Sequence, residues 1–314
     1  MNLTKKLSLQ KPLMLLALII IAAVSCPTFL TPSNILSILL AVCIYGVMAC
    51  GTIFPLLNGG IDLSIGSVAA LSGSVMVLVT IASGYSTGGT ILGIVLGLLA
   101  GTACGALNGL ISYYFALPAF VVTLAMKNII LGVTQHITNR NTVICLYSDL
   151  MNWIGTGKIL GVQFLIILFV IVFLIAWFAL NRSKFGRYTY AVGGNEVASR
   201  YSGVNSRLVG ISAYAISGFT AALSGVMLSC FNRQAVATQA SGYDGNVLVM
   251  LVVGGVSMAG GEGSITGVLF GMLLIGIGSM YQDMVQGILI VLAVALDVYS
   301  KKKKQMVKAA KKAA

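Results

Sequence analysis

Runs of roughly 20 apolar residues, repeated along nearly the whole chain, decide what this sequence can fold into. An α-helix rises about 1.5 Å per residue, so a run of that length crosses the ~30 Å hydrocarbon core of a bilayer. Cut at its Gly, Pro and charged punctuation, the chain yields about ten such pieces. They are Leu13–Leu30, Ile35–Leu57, Ile61–Ala82, Thr90–Tyr114, Leu117–Ile137, Val162–Leu180, Leu208–Phe231, Tyr243–Met258, Ser264–Ser279 and Tyr281–Tyr299. With 58% hydrophobic and 8% charged residues and a mean hydropathy of +1.00, a soluble domain is excluded. The expected fold is an all-α polytopic membrane protein of about ten transmembrane helices, some of them broken or re-entrant. Segment 1–12 precedes a single membrane domain, 13–299, and a basic tail, 300–314, follows it.

The net charge of +12 does not form a stripe for nucleic acid. Lys5, Lys6 and Lys11 precede the first span, Arg182 to Arg207 hold a cluster, and Lys301 to Lys304 open the basic tail. Placing both termini and the 181–207 loop in the cytoplasm satisfies the positive-inside rule three times. The longer external segments are then 138–161 and 232–242, which carry few charges. The tail is suited to anionic lipid. The run after Lys11 continues without a small-residue processing site, so the first helix is expected to be retained.

Several chemistries lack material. His136 is the single histidine and Glu196 and Glu262 the two glutamates, which speaks against a Ser-His-Asp relay or a His-rich metal centre. The six cysteines form no C-x-x-C pair and mostly lie in apolar runs. No G-x-x-x-x-G-K-[ST] or G-x-G-x-x-G loop is present, so any ATP is bound by another chain. The ionisable groups placed inside spans are Asp62, Lys127, Asp283 and Asp297, with no evident pairing in sequence. Glycines at helical spacing, Gly93, Gly97, Gly101, Gly105 and Gly109, then Gly267 and Gly271, read as surfaces where helix backbones meet closely.

Two polar segments rise above this background. Asn58-Gly59-Gly60-Ile61-Asp62-Leu63-Ser64-Ile65-Gly66-Ser67 interrupts an apolar stretch where unsatisfied backbone is expensive, so it must face protein or a watery cavity. A broken helix is expected there. Asp62 or Ser64 either caps the helix that continues through Leu71, or, with Asn58, offers hydrogen bonds to a polyhydroxylated solute. In the loop from Arg182 to Arg207, Asn195 is a good N-cap, Glu196 suits a positive first turn, and Gly203 is placed to stop a short helix over 196–202. Val197, Tyr201 and Val204 then form one apolar stripe beside Arg200, suited either to a groove on another protein or to lipid headgroups.

In that order, these segments resemble the permease subunits of ribose-type ATP-binding-cassette sugar importers, within the wider superfamily of branched-chain amino-acid permeases. The first segment resembles that family's most recognisable stretch. Gly186-Arg187 through Gly193-Gly194-Asn195 and on to Gly203-Val204 resembles its cytoplasmic coupling segment, and Val253-Gly254-Gly255 with Gly260-Gly261-Glu262-Gly263-Ser264 its late glycine signature. Gln286 to Val294 with Asp297 fits the closing span, although the chain lacks about ten Asn- and Gly-rich residues usual before it, between Gly278 and Gln282. Gly59-Gly60 with Ser64-Ile65-Gly66-Ser67 also runs weakly parallel to Gly260-Gly261 with Ser264-Ile265-Thr266-Gly267, as an inverted repeat would.

The resemblance implies a subunit without catalytic or cofactor sites of its own, in the bacterial cytoplasmic (inner) membrane. It implies pairing with a second copy or a sister permease, two cytoplasmic ATPase subunits that use the ATP, and an external sugar-binding protein. Pathway candidates are Asn58, Gly59, Gly60, Asp62, Ser64, Ser67, Gly254 and Gly255. Coupling candidates are Arg187, Gly193, Gly194, Asn195, Glu196, Val197, Arg200, Tyr201 and Gly203. The competing expectation is an ATP-independent facilitator or ion-coupled carrier of a small polar solute, which needs Asp62 or Lys127 as a working intramembrane charge.

Overall fold

The computed structural model describes residues 29–276 together with Ala23. The first span except its end, the Tyr281–Tyr299 span, Cys26, Asp283, Asp297, the closing motif and the segments 1–12 and 300–314 lie outside the described residues. Within them the chain is mostly helical, and six helices are long and apolar enough to cross a membrane. These are α1 (Pro32–Leu57), α2 (Ile65–Ala82), α3 (Thr87–Tyr114), α4 (Ala119–Ile137), α6 (Phe164–Arg182) and α9 (Ser206–Asn232). Between them lie α5 (Asp149–Thr156), α7 (Lys184–Gly194) and α8 (Glu196–Tyr201), and α10 (Tyr243–Val253) and α11 (Ile265–Gly276) follow.

Local sequence explains where these helices start. Pro32 sits in the first turn of α1, where its missing N–H is not needed. Ser86 Oγ accepts from Gly89 N at the start of α3, and Asn205 Oδ1 accepts from Leu208 N at the start of α9. α1, α2 and α9 form the interior, with Val47, Met48, Cys50, Ile53, Val68, Ala69, Ala221 and Met227 fully buried. α3, α4 and α6 turn one apolar face outward, as Leu99, Ile129 and Ile175 show.

In lipid no hydrophobic drive pushes helices together, so close backbone contact has to supply the packing energy. The glycine row provides it. A Cβ at Gly93 would meet Met76 O at 2.7 Å and one at Gly97 would meet Ser72 O at 2.6 Å, both on α2. Farther along α3, Gly105 and Gly218 of α9 face each other backbone to backbone. Gly267 and Gly271 of α11 likewise lie on the carbonyls of Gly254 and Met250.

The two long loops meet at one end of the bundle. β1 (Val143–Ile144) pairs antiparallel with β4 (Gln234–Ala235), with Val143 opposite Ala235. Thr90 Oγ1 and Ser148 Oγ, 2.9 Å apart, tie the same loop to α3. A second small hairpin, β2 (Lys158–Ile159) with β3 (Val162–Gln163), leads into α6. The opposite end gathers the 58–64 segment, α7, α8 and the 254–264 turns.

Three expectations need correction. Tyr243–Met258 is not one full helix: α10 has 11 residues, about 16 Å, roughly half a bilayer core. The preceding residues 236–242 descend beside α2 in turns, with Ala240 O against Gly66 and the Gln239 amide donating to Ser229 Oγ at 2.9 Å. Residues 184–194, read as loop, are helical, because packing against the ends of α1 and α6 overrides their poor glycine propensity. The 138–161 loop also holds the short helix α5, whose N-cap Ser148 accepts from Met151 N.

Candidate functional site

The segment between α1 and α2 is a broken helix whose polar groups face protein. α1 ends with Gly59 N bonded to Leu56 O and Gly60 N to Pro55 O, both at 2.9 Å. Gly59, at φ +83°, occupies the left-handed position that such a helix end favours. Asp62 is 3% exposed. Its Oδ1 accepts from Ser64 N at 3.0 Å and Ser64 Oγ at 2.7 Å, and its Oδ2 accepts from Ser217 Oγ at 2.8 Å. Asn108 Nδ2 of α3 donates to Ser64 Oγ at 2.8 Å, and Thr123 Oγ1 of α4 donates to Ile61 O at 3.0 Å. Ser217 stands about 16 Å along α9 from Ser206, so this cluster lies well inside the bundle. Asp62 therefore joins α2, α3 and α9 around the break, with both carboxylate oxygens engaged.

The remaining pathway candidates fall into separate places. Asn58, Gly59 and Gly60 line a cavity of about 300 Å³ with Ser112, Tyr113, Tyr214 and Glu196. Ser67 lines a smaller one, about 40 Å³, beside Lys127 and Asp244, with room for a few water molecules. Gly254 is a packing residue, its α-carbon against Gly267 and Val268, and Gly255 follows it at φ +95°.

Lys127 has a partner that the sequence did not disclose. Its Nζ donates to Asp244 Oδ2 at 2.7 Å, with 30% and 10% of the two side chains exposed. Asp244 lies in the first turn of α10, where a carboxylate is also favoured by the free N–H groups of the helix start. Lys127→Met is expected to cost about 3 kcal/mol, the lower end for a broken buried pair because Lys127 keeps some exposure. The double variant Lys127→Met/Asp244→Leu should recover much of that loss in thermal unfolding of the detergent-solubilised protein. A double variant as unstable as Lys127→Met alone would show that the pair itself is not what matters. Asp62 and Lys127, on which an ion-coupled carrier would rest, are thus both engaged within the protein.

At the same end as Asn58, α7 and α8 form a hairpin against two glycine turns. Gly193 packs directly on Leu57 O, and Gly261 N donates to that same carbonyl at 2.8 Å. Gly260 in turn lies against Gly59 N, so the two turns whose sequences run parallel touch each other. Each leads into a helix, α2 at Ile65 and α11 at Ile265. Tyr190 OH donates to Gly263 O at 3.0 Å, and burial raises this phenol above its ordinary pKa, keeping it a neutral donor.

α8 forms as its sequence dictates. Asn195 Oδ1 accepts from Ala198 N at 2.9 Å, Ser206 Oγ donates to Glu196 Oε1 at 3.0 Å, and Gly203 at φ +83° ends the helix. Val197, Arg200 and Tyr201 point outward, Tyr201 with 90% of its surface exposed, while Val204 is half-buried. Arg187 is exposed on α7, and a Cβ on Gly194 would meet open space.

The family model for the permease component of branched-chain amino acid transport systems matches residues 34–294. The chain belongs to this permease family. Curated relatives cover nearly the whole length of this permease. It is 36% identical over 92% of its chain and 93% of the relative's to the ribose import permease protein RbsC of Escherichia coli K12. It is 38% identical over 90% of each chain to the RbsC protein of Bacillus subtilis. The D-allose transport system permease protein AlsC of Escherichia coli K12 is 32% identical over 86% of this chain and 84% of its own. No solved structure gives a significant match. The permease is accordingly a multi-pass transport component and not an enzyme. All five cysteines among the described residues are free, and no group of three or more His, Cys, Asp or Glu among them is arranged to hold a metal.

Proposed function

We propose that this permease forms the membrane channel of an ATP-binding-cassette importer that carries a sugar or sugar-like solute into the cytoplasm, with ATP hydrolysed by partner subunits. The observation that carries the reading is the α7–α8 hairpin. It is seated by backbone contact on the Leu57 and Gly261 turns and presents Val197, Arg200 and Tyr201 outward. A short helix with an uncovered apolar stripe, fixed to the turns that open α2 and α11, can convert movement of a docked protein into movement of those helices. The relatives' names, ribose and D-allose permeases, support a carbohydrate cargo.

On this reading Arg187, Gly193, Gly194, Asn195, Glu196, Val197, Arg200, Tyr201 and Gly203 make the ATPase-coupling face. Asn58, Gly59, Gly60, Asp62, Ser64, Ser67, Gly254 and Gly255 border or brace the pathway. About ten helices place both termini in the cytoplasm of a bacterium and the chain in its cytoplasmic membrane. Two ATPase subunits dock beneath two permease copies, or beneath this permease and a sister. The paired loops 138–161 and 232–242 at the other end receive an external sugar-binding protein.

The test is uptake of radiolabelled D-ribose, D-allose and D-fructose into proteoliposomes holding the permease, its ATPase and its binding protein. Uptake that requires ATP and stops when the ATPase is inactivated is the expected result. Undiminished uptake by the permease alone would overturn the reading.

A further inference from the structure

The cavity at the coupling end is walled by polar groups that the protein itself leaves unused. Tyr214 is completely buried, yet its hydroxyl has no hydrogen-bond partner among the described residues. The same holds for the Ser112 hydroxyl and for both amide atoms of Asn58. Buried polar groups without partners are uncommon, because each one forgoes its hydration. The residues that carry these four atoms line one space of about 300 Å³, and a small rotation of each side chain brings its polar end to a guest that supplies the missing bonds. That volume is at the small end of the ~300–1,000 Å³ range of small-molecule pockets.

The chemistry of the wall defines the guest. An amide and two hydroxyls both donate and accept, the Tyr113 ring offers an apolar face, and the Glu196 carboxylate accepts. This set suits a neutral molecule with several hydroxyls around a compact carbon skeleton and disfavours an anion. Gly60 is required for the site: a Cβ there would strike the Tyr214 hydroxyl. Glu196 belongs to both the cavity and α8, and it is held by Ser206 at the start of α9.

We infer that the cavity bounded by Asn58, Ser112, Tyr113, Tyr214 and Glu196 is a binding site within a single permease chain for one neutral polyhydroxylated solute of monosaccharide size, adjoining the coupling helix. The inference rests on the importer reading and adds Ser112, Tyr113 and Tyr214, which the sequence motifs do not include, to Asn58 and Glu196, which they do. A solute there contacts the first residue of α8, so its departure and the movement of the coupling helix are mechanically linked.

Ala119 lines the same cavity and serves as a reporter position. In the assembled importer in nanodiscs, Ala119→Cys is labelled with a small methanethiosulfonate reagent, above the background of the native cysteines. D-Ribose is expected to slow the labelling by about tenfold once nine-tenths of the sites are filled, whereas n-butanol at equal concentration does not. Adding Tyr214→Phe or Ser112→Ala to the reporter should raise the D-ribose concentration needed by roughly 3- to 10-fold, the loss of one hydrogen bond. A cysteine that never labels, or one unprotected by D-ribose, D-allose or D-fructose, would overturn the site, as would equal protection by butanol. ATP-driven uptake by the same preparation is measured in parallel. Active uptake without protection removes this site alone, and absent uptake removes the importer reading.

Discussion

Gly193→Ala should yield a folded, inserted permease that wastes its motor: the partner ATPase keeps turning over while solute carried per ATP falls roughly 5- to 150-fold, the range of a lost coupling free energy of ~1–3 kcal/mol. The reason is steric. A methyl group at Gly193 would strike Leu57 O and lie 2.6 Å from Gly261 N, both of them backbone and unable to rotate aside. α7 must then withdraw from the two turns that lead into α2 and α11, and a push on α8 no longer reaches those helices. Gly194→Ala is the matched control. It adds the same methyl one residue later, where nothing lies within 4 Å, and should be neutral or mildly stabilising. Uptake and phosphate release measured on the same proteoliposomes read the ratio directly. An unchanged ratio in Gly193→Ala would detach α7 from coupling.

The second large effect is expected at Asp62, where alanine and asparagine should behave differently. Asp62→Ala removes the acceptor shared by Ser64 N, Ser64 Oγ and Ser217 Oγ, all buried. Three donors lose their acceptor, at ~1–3 kcal/mol for each left unpaired; the backbone N–H stays unpaired while the two hydroxyls partly recover by turning to other partners, so the expected loss is about 2–4 kcal/mol. Asp62→Asn keeps the shape. Its carbonyl oxygen still accepts from Ser64, and its NH2 can donate to the Ser217 hydroxyl, so stability and transport should both stay near the parent. Thermal unfolding in detergent with parallel uptake distinguishes the outcomes. Stable Asp62→Asn protein with abolished uptake would mean that the charge works in transport and that the carboxylate is more than a brace.

The contrast between Asp62 and Asp244 shows what the sequence discloses. Asp62 was conspicuous because Asn58, Gly59, Gly60, Ser64 and Ser67 surround it inside an apolar stretch, and such a concentration of polar cost draws attention to itself. The helix break followed from the glycines, and α8 from the Asn195 cap and the Gly203 stop. Asp244 does not stand out in the sequence, because it lies at the edge of an apolar run, next to Tyr243, where a carboxylate reads as the end of a span. Its depth depends on the turns of 236–242, which hydropathy cannot separate from helix. Tyr214 and Ser112 were hidden for another reason. Each is a single polar atom within a long helix, and only the meeting of α3, α9 and the Gly59 turn makes their hydroxyls neighbours of one cavity. α7 lies within the 182–207 segment that reads as a loop, and the contact that holds it as helix comes from Leu57, more than a hundred positions away.

The half-length of α10 has a mechanical corollary. Along their backbone, residues 236–242 make turn bonds in place of a helical ladder, Gln239 N to Val236 O and Ser241 N to Thr238 O at 3.0 Å and Tyr243 N to Ala240 O at 3.2 Å, with the Gln239 amide tied to Ser229 Oγ. Rearranging them rotates a few dihedral angles and severs none of the continuous ladder that stiffens α2 or α9. That end of the bundle thus contains a soft joint beside rigid posts, and on the proposed importer reading alternating exposure of a solute to the two compartments requires no rod to snap.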